Sequence, residues 1–127
     1  MTMPHERTRS LRWGQEALQE ICDDALIGES VVGWATELLR AYPTPDVVLG
    51  WIQADVVCIP IDAAEAIDGT VRLLNALWLS ENCPSQLRQT LKFTLRHFPA
   101  LGEAKGWACG SGKVSIRVWL LPEDVYD

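Results

Sequence analysis

Apolar residues recur at helical spacing from the first residues of the chain. Leu11, Leu18, Ile21, Cys22 and Ala25 share a face, while Pro4 presets a first turn that Thr2 or Met3 can cap and Glu6 sits where the helix dipole favours an acid. This predicts a helix over 4–23. Past Gly28, a second stripe of Val31, Trp34, Ala35, Leu38 and Leu39 predicts a helix over about 30–42, stopped by Pro43. Thr44, Pro45 and Asp46 supply a cap, a ring at the first position and an acid in the first turn, so a short helix over about 45–54 faces inward with Val48, Leu49 and Ile52. Val56, Val57, Cys58 and Ile59 are too few to classify by period, and stand as a buried strand or an extended connector.

Pro60 opens a fourth helix over about 60–80, with Ile61, Ala64, Ile67, Val71, Leu74, Leu77 and Trp78 in phase. Gly69 lies inside it, at a cost of about 1 kcal/mol relative to alanine. Asn82 or Cys83 caps a fifth helix at Pro84, whose Leu87, Leu91, Leu95 and Phe98 form the buried face until Pro99. Beyond Pro99 the period changes to two. Val114, Ile116, Val118 and Leu120 alternate with Ser115, Arg117 and Trp119 behind a Gly110, Ser111, Gly112 turn, which predicts a β-hairpin within 104–121 whose first strand is 105–109. A lone hairpin is marginal in water, so it must pack on the helices or pair with residues 55–59. The expected fold is mainly α with a minor β part: one domain over 1–127, five helices and a C-terminal β-hairpin.

An internal repeat organises the helices. LLRAYPTP (38–45) and TLRHFPAL (94–101) place leucine, arginine, an aromatic and proline in the same order, and TRSLRW matches TVRLLN in the helices before them. Two helical hairpins follow, 1–43 and 60–99, separated by the linker helix and extended segment of 44–59. In each stop the aromatic is expected to cover the helix end, the arginine to reach the last carbonyls, and the proline to forbid continuation. The opening MTMPHERTR, the phrase RAYPTPDVV and the later FTLRHFP resemble a group of small bacterial proteins that start MTMPxERTR and carry the same helix stop. The resemblance spans residues 1 to about 99 and implies a helical fold and a bacterial origin. No activity is established for that group, so it donates no catalytic residues.

Composition narrows the function classes. A chain of 127 residues, 48% apolar with six tryptophans, can bury a core and is not a disordered tail. No window approaches a membrane span, no apolar stretch follows the early arginines as in a secretory signal, and the four cysteines include no CxxC pair, so reduced thiols in a cytoplasmic protein are expected. The net charge of −6 hides a division: residues 41–71 carry −5 and residues 72–117 carry +5. Their complementarity suits pairing within the chain or between two copies, and an acidic total argues against nonspecific nucleic-acid binding.

Sites for chemistry are sparse. His5 and His97 are isolated from each other and from every cysteine in sequence, so neither a metal nor another cofactor is indicated; a thiol enzyme would need His97 to meet Cys58 or Cys83 in space. GSGK at 110–113 lacks the earlier glycine, the following Ser or Thr, and the helix of a phosphate loop. Asp62, Glu65 and Asp68 lie along one helix as an acid row best read as solvated. Arg88, Lys92 and Arg96 make a basic stripe that Trp107, Lys113, Arg117 and Trp119 extend from the hairpin.

These residues are the candidate partner-binding set. The favoured reading is a non-enzymatic interaction module, a small acidic bacterial regulator or inhibitor of the anti-defence type that phages and mobile elements encode, whose partner is another protein. A homodimer stays open and no membrane partner is expected. The alternatives are a nucleic-acid-binding accessory protein using the basic stripe, and a small thiol enzyme.

Overall fold

The computed structural model describes residues 2–24, 26–81, 83–109 and 114–123. Among the described residues six helices follow one another: α1 Pro4–Asp23, α2 Glu29–Ala41, α3 Pro45–Ala54, α4 Ile61–Trp78, α5 Ser85–His97 and α6 Glu103–Cys109, then a 3-10 turn at Ile116–Val118. The first five stand where the apolar spacing predicts them, and Thr44 accepts the Val47 amide as the cap of α3. No strand occurs among the described residues. Residues 56–60 form the extended connector, not a strand.

The middle of the fold is α4. Alanines at 63, 64 and 66 alternate with Ile67, Val71, Leu73 and Leu74, burying most of its circumference, so that α2, α5 and α6 all pack on it. Gly69 now has a purpose: a methyl at its Cα would lie 2.6 Å from Cδ2 of Leu38 on α2. The helix accepts a weaker propensity there for a closer approach.

On the other side, α1 lies against α2 and, over its broadest contact, α5. Gly14 makes that possible. A methyl there would meet the Tyr42 hydroxyl at 2.5 Å and Cε2 of Phe98 at 2.6 Å. The aromatics of both helix stops therefore converge on one residue of α1, and Tyr42 donates to the Leu11 carbonyl at 2.6 Å. Full burial pushes the Tyr42 phenol well above its usual pKa. The arginines of the stops do not reach helix-end carbonyls as expected: Arg40 pairs with Glu37 at 2.9 Å and Arg96 is exposed.

The predicted hairpin is overturned. Its first strand is helix α6, with Gly102 at φ 88° before it, the Glu103 carboxylate accepting the Ala100 amide, and Ala104 and Trp107 buried. Its second strand is the 3-10 turn, in which Trp119 and Leu120 both donate to the Ile116 carbonyl at 2.8 Å. Ile116 and Leu120 are buried while Val118 is exposed, so the alternation of apolar residues conceals an i, i+4 pair. The connector does meet this region, since the Ile116 amide donates to the Val56 carbonyl at 2.8 Å and the Ile59 amide to that of Trp107 at 3.3 Å. The predicted turn at 110–112 lies outside the described residues.

Candidate functional site

The basic stripe on α5 divides in two. Arg88 donates to the carbonyls of Trp78 at 2.8 Å and Ser80 at 2.6 Å and stacks over the Trp78 ring at 5.5 Å, so it closes the C-terminal end of α4. Lys92 and Arg96 stay outward and make no ion pair among the described residues. Between them lies Phe93, 55% exposed. It shares with Trp13 of α1 a surface hollow of about 430 Å³ that Glu16 and Thr90 also line. At its base the Thr94 hydroxyl is buried without a hydrogen-bond partner among the described residues. A second hollow of about 110 Å³ continues toward Arg9, Arg96 and His97, sharing the same two rings.

His97 anchors the end of this face. Its Nδ1 is 3.1 Å from the Thr2 hydroxyl and its Nε2 is 3.0 Å from Glu6. The Met3 amide, which donates to Glu6 at 2.9 Å, holds that carboxyl below its usual range; partial burial opposes the shift and His97 adds to it.

The aromatic and basic residues assigned to the hairpin are turned inward or onto neighbouring helices. Trp107 is buried, its indole N–H meets no acceptor among the described residues, and its ring lies 6.3 Å from that of Trp119. Arg117 donates to the carbonyls of Ile52 at 3.0 Å and Gln53 at 3.4 Å, closing the end of α3, and approaches Asp55 at 3.9 Å. Ser115 also hydrogen-bonds Asp55. Lys113 lies outside the described residues.

The acid row also separates. Asp68 is buried, accepts the Gly102 amide, and has Arg72 and Lys105 each at 3.6 Å. It ties α4 to the start of α6. Part of the charge complementarity between the acidic middle and the basic second half is thus used within the chain, through Asp68 and Asp55. Asp62 and Glu65 remain exposed, bordering a hollow of about 350 Å³ between α2 and α4 together with Trp34, Glu37 and Leu38.

Arginines on α1, outside the candidate partner-binding set, form a cluster. Arg7 donates to the Trp119 carbonyl at 2.8 Å, pairs with Glu103 at 3.4 Å and stacks over the Trp119 ring at 5.7 Å. Arg9 reaches the Glu123 carbonyl at 3.2 Å, and the Leu121 amide donates to the Thr8 hydroxyl at 3.1 Å. Arg12 grips the Glu123 carboxylate, with Nε 3.1 Å from Oε1 and 3.0 Å from Oε2 and Nη2 2.9 Å from Oε1. That bond raises the guanidinium pKa further. Beside it a cavity of about 240 Å³ opens between α1, α3 and residues 122–123. The available signal was negative: three arginines early in a helix, where the dipole disfavours them, call for acceptors elsewhere.

The contacts of the described thiols do not include His97. Cys22 is 3.5 Å from the Thr36 hydroxyl, Cys58 donates to the Ala108 carbonyl, and burial pushes the Cys83 thiol up. Among the described residues no three His, Cys, Asp or Glu side chains gather as a metal site would require, and no helix is long and apolar enough to cross a membrane. Comparison with protein-family models, with curated proteins and with solved structures finds no match to this chain.

Proposed function

We propose that the protein is a non-catalytic interaction module, a small regulator or inhibitor that binds another protein on the α1/α5 face and takes an acidic, amphipathic helix as its ligand. The observation that carries this reading is Phe93, more than half exposed between the outward cations Lys92 and Arg96, with Trp13 across the hollow. A helix laid there buries its apolar stripe on the two rings while its carboxylates meet the cations. Aromatic anchors rimmed by charge are where binding energy concentrates.

The nucleic-acid reading is left with two outward cations on α5, once Arg88 is committed to α4, in a chain of net charge −6. The thiol reading has less support, because Cys58 donates to the Ala108 carbonyl and Cys83 to that of Pro84, while His97 faces Thr2 and Glu6. As a test, the immobilised protein should retain one stoichiometric partner from host lysate. It should lose that partner on combined substitution of Phe93→Ala, Lys92→Glu and Arg96→Glu, with the melting temperature unchanged. Capture that survives the triple substitution, or a captured protein without an acidic helix, removes the reading.

A further inference from the structure

We propose that the cavity between α1, α3 and residues 122–123 is a binding site for a small apolar monocarboxylate, in which Glu123 holds the ligand's place. It stands apart from the α1/α5 face, since the residues lining the two are different. Leu11, Val48 and Ile52 form its buried wall, with Leu49 and Pro45 toward the opening. At about 240 Å³ it exceeds the roughly 150 Å³ apolar cavity that accepts benzene.

Arg12 forms part of the wall, and its guanidinium already binds a carboxylate there in a fork. An incoming carboxylate that takes the fork releases Glu123, whose side chain is 30% exposed and already lies 3.8 Å from Arg9 Nε, so it can turn outward onto Arg9 and water. Exchanging one carboxylate for another on the same guanidinium costs little because the freed Glu123 is rehydrated, which leaves the acid an advantage of about fivefold over its amide, while burial of the apolar body supplies the larger gain. Asp46, also on the wall, repels a second negative group and restricts the class to monocarboxylates.

Octanoate and octanamide, titrated separately into the 15N-labelled full chain, test this by amide shifts in the NMR spectrum. Octanoate should move the amides of Leu11, Val48 and Ile52 saturably and bind about fivefold or more tighter than octanamide. Glu123→Gln, which removes the internal carboxylate and keeps its shape, should tighten octanoate about tenfold and leave octanamide unchanged. Arg12→Gln should erase the preference for the acid. Equal binding of the two probes by the unaltered protein, no saturable shift at these amides, or a Glu123→Gln protein that folds yet binds octanoate no more tightly, each overturns the proposal. Shifts confined to Trp13 and Phe93 would overturn it too, while leaving the α1/α5 reading intact.

Discussion

Two neighbouring helices carry rows of cations, and the fold treats them in opposite ways. On α1, Arg7, Arg9 and Arg12 are all spent on the chain itself, holding Trp119, Glu103 and Glu123. On α5, Arg88 is likewise spent on the end of α4, but beyond it Lys92 and Arg96 have no ion-pair partner among the described residues and flank an exposed phenylalanine. A basic row therefore has no fixed meaning in sequence. What decides is whether the fold brings carbonyls and carboxylates within reach, and α1 lies beside the returning end of the chain whereas the outer edge of α5 does not.

The largest effect should come from breaking the internal row. Arg7→Ala removes a charge-assisted bond, an ion pair and a stacked ring at a side chain only 14% exposed, and should cost about 2–3 kcal/mol in chemical denaturation. A loss below 0.5 kcal/mol would place Arg7 in the same class as the α5 cations. Next comes the seam that lets α1 lie so close. Gly14→Ala gains about 1 kcal/mol of helix propensity but forces the Tyr42 hydroxyl and the Phe98 ring apart, for a net loss of about 1–2 kcal/mol. Gly69→Ala meets only the end of a half-buried leucine and should lie nearer neutrality.

The tie between the two helices is pH-sensitive. The Glu6 carboxyl is depressed in the folded protein, so its contribution is complete above the ordinary value of 4.5 and is lost as the pH falls below that. Melting temperatures from pH 6 to 3 should show the gap between the unaltered protein and Glu6→Gln closing as the pH falls below about 4.5, where the carboxyl protonates first in the unfolded chain and then, at lower pH, in the fold. A gap that stays constant would mean that Glu6 acts through packing alone. The smallest effect is expected where the face is free. Lys92→Ala and Arg96→Ala should each change stability by no more than about 0.5 kcal/mol, and a larger loss would mean that α5 is as internally committed as α1.

Local signals made much of the fold legible. Pro4 and Pro45 mark the starts of α1 and α3, and Pro43 and Pro99 fall just beyond the ends of α2 and α5, as their effect on the backbone requires. The C-terminal segment misled because the spacing of Ile116 and Leu120 satisfies both a strand and a helical turn, and only docking against α1 and the connector chooses between them. EAKGWAC likewise contains good helix formers, which the expectation of a paired strand overrode. Among the candidate site residues, Arg88 could not be told from Lys92 in sequence. What separates them is the position of the Trp78 and Ser80 carbonyls, set by how α4 ends relative to α5. Asp68 differs from Asp62 and Glu65 in the same manner, by facing Gly102 and Lys105 across a helix interface.

Gly14 also bears on how the chain reaches its fold. Tyr42 becomes available once the first helical pair has formed, but Phe98 arrives from near the opposite end of the sequence. A long loop must close before that second ring can dock, so its contact is expected on the late, downhill side of the folding barrier. Shaving Phe98 should then hasten unfolding while leaving refolding almost unchanged, whereas trimming Tyr42 should slow refolding. One α-carbon would thereby record, in the kinetics of its two neighbours, the order in which the halves of the molecule come together.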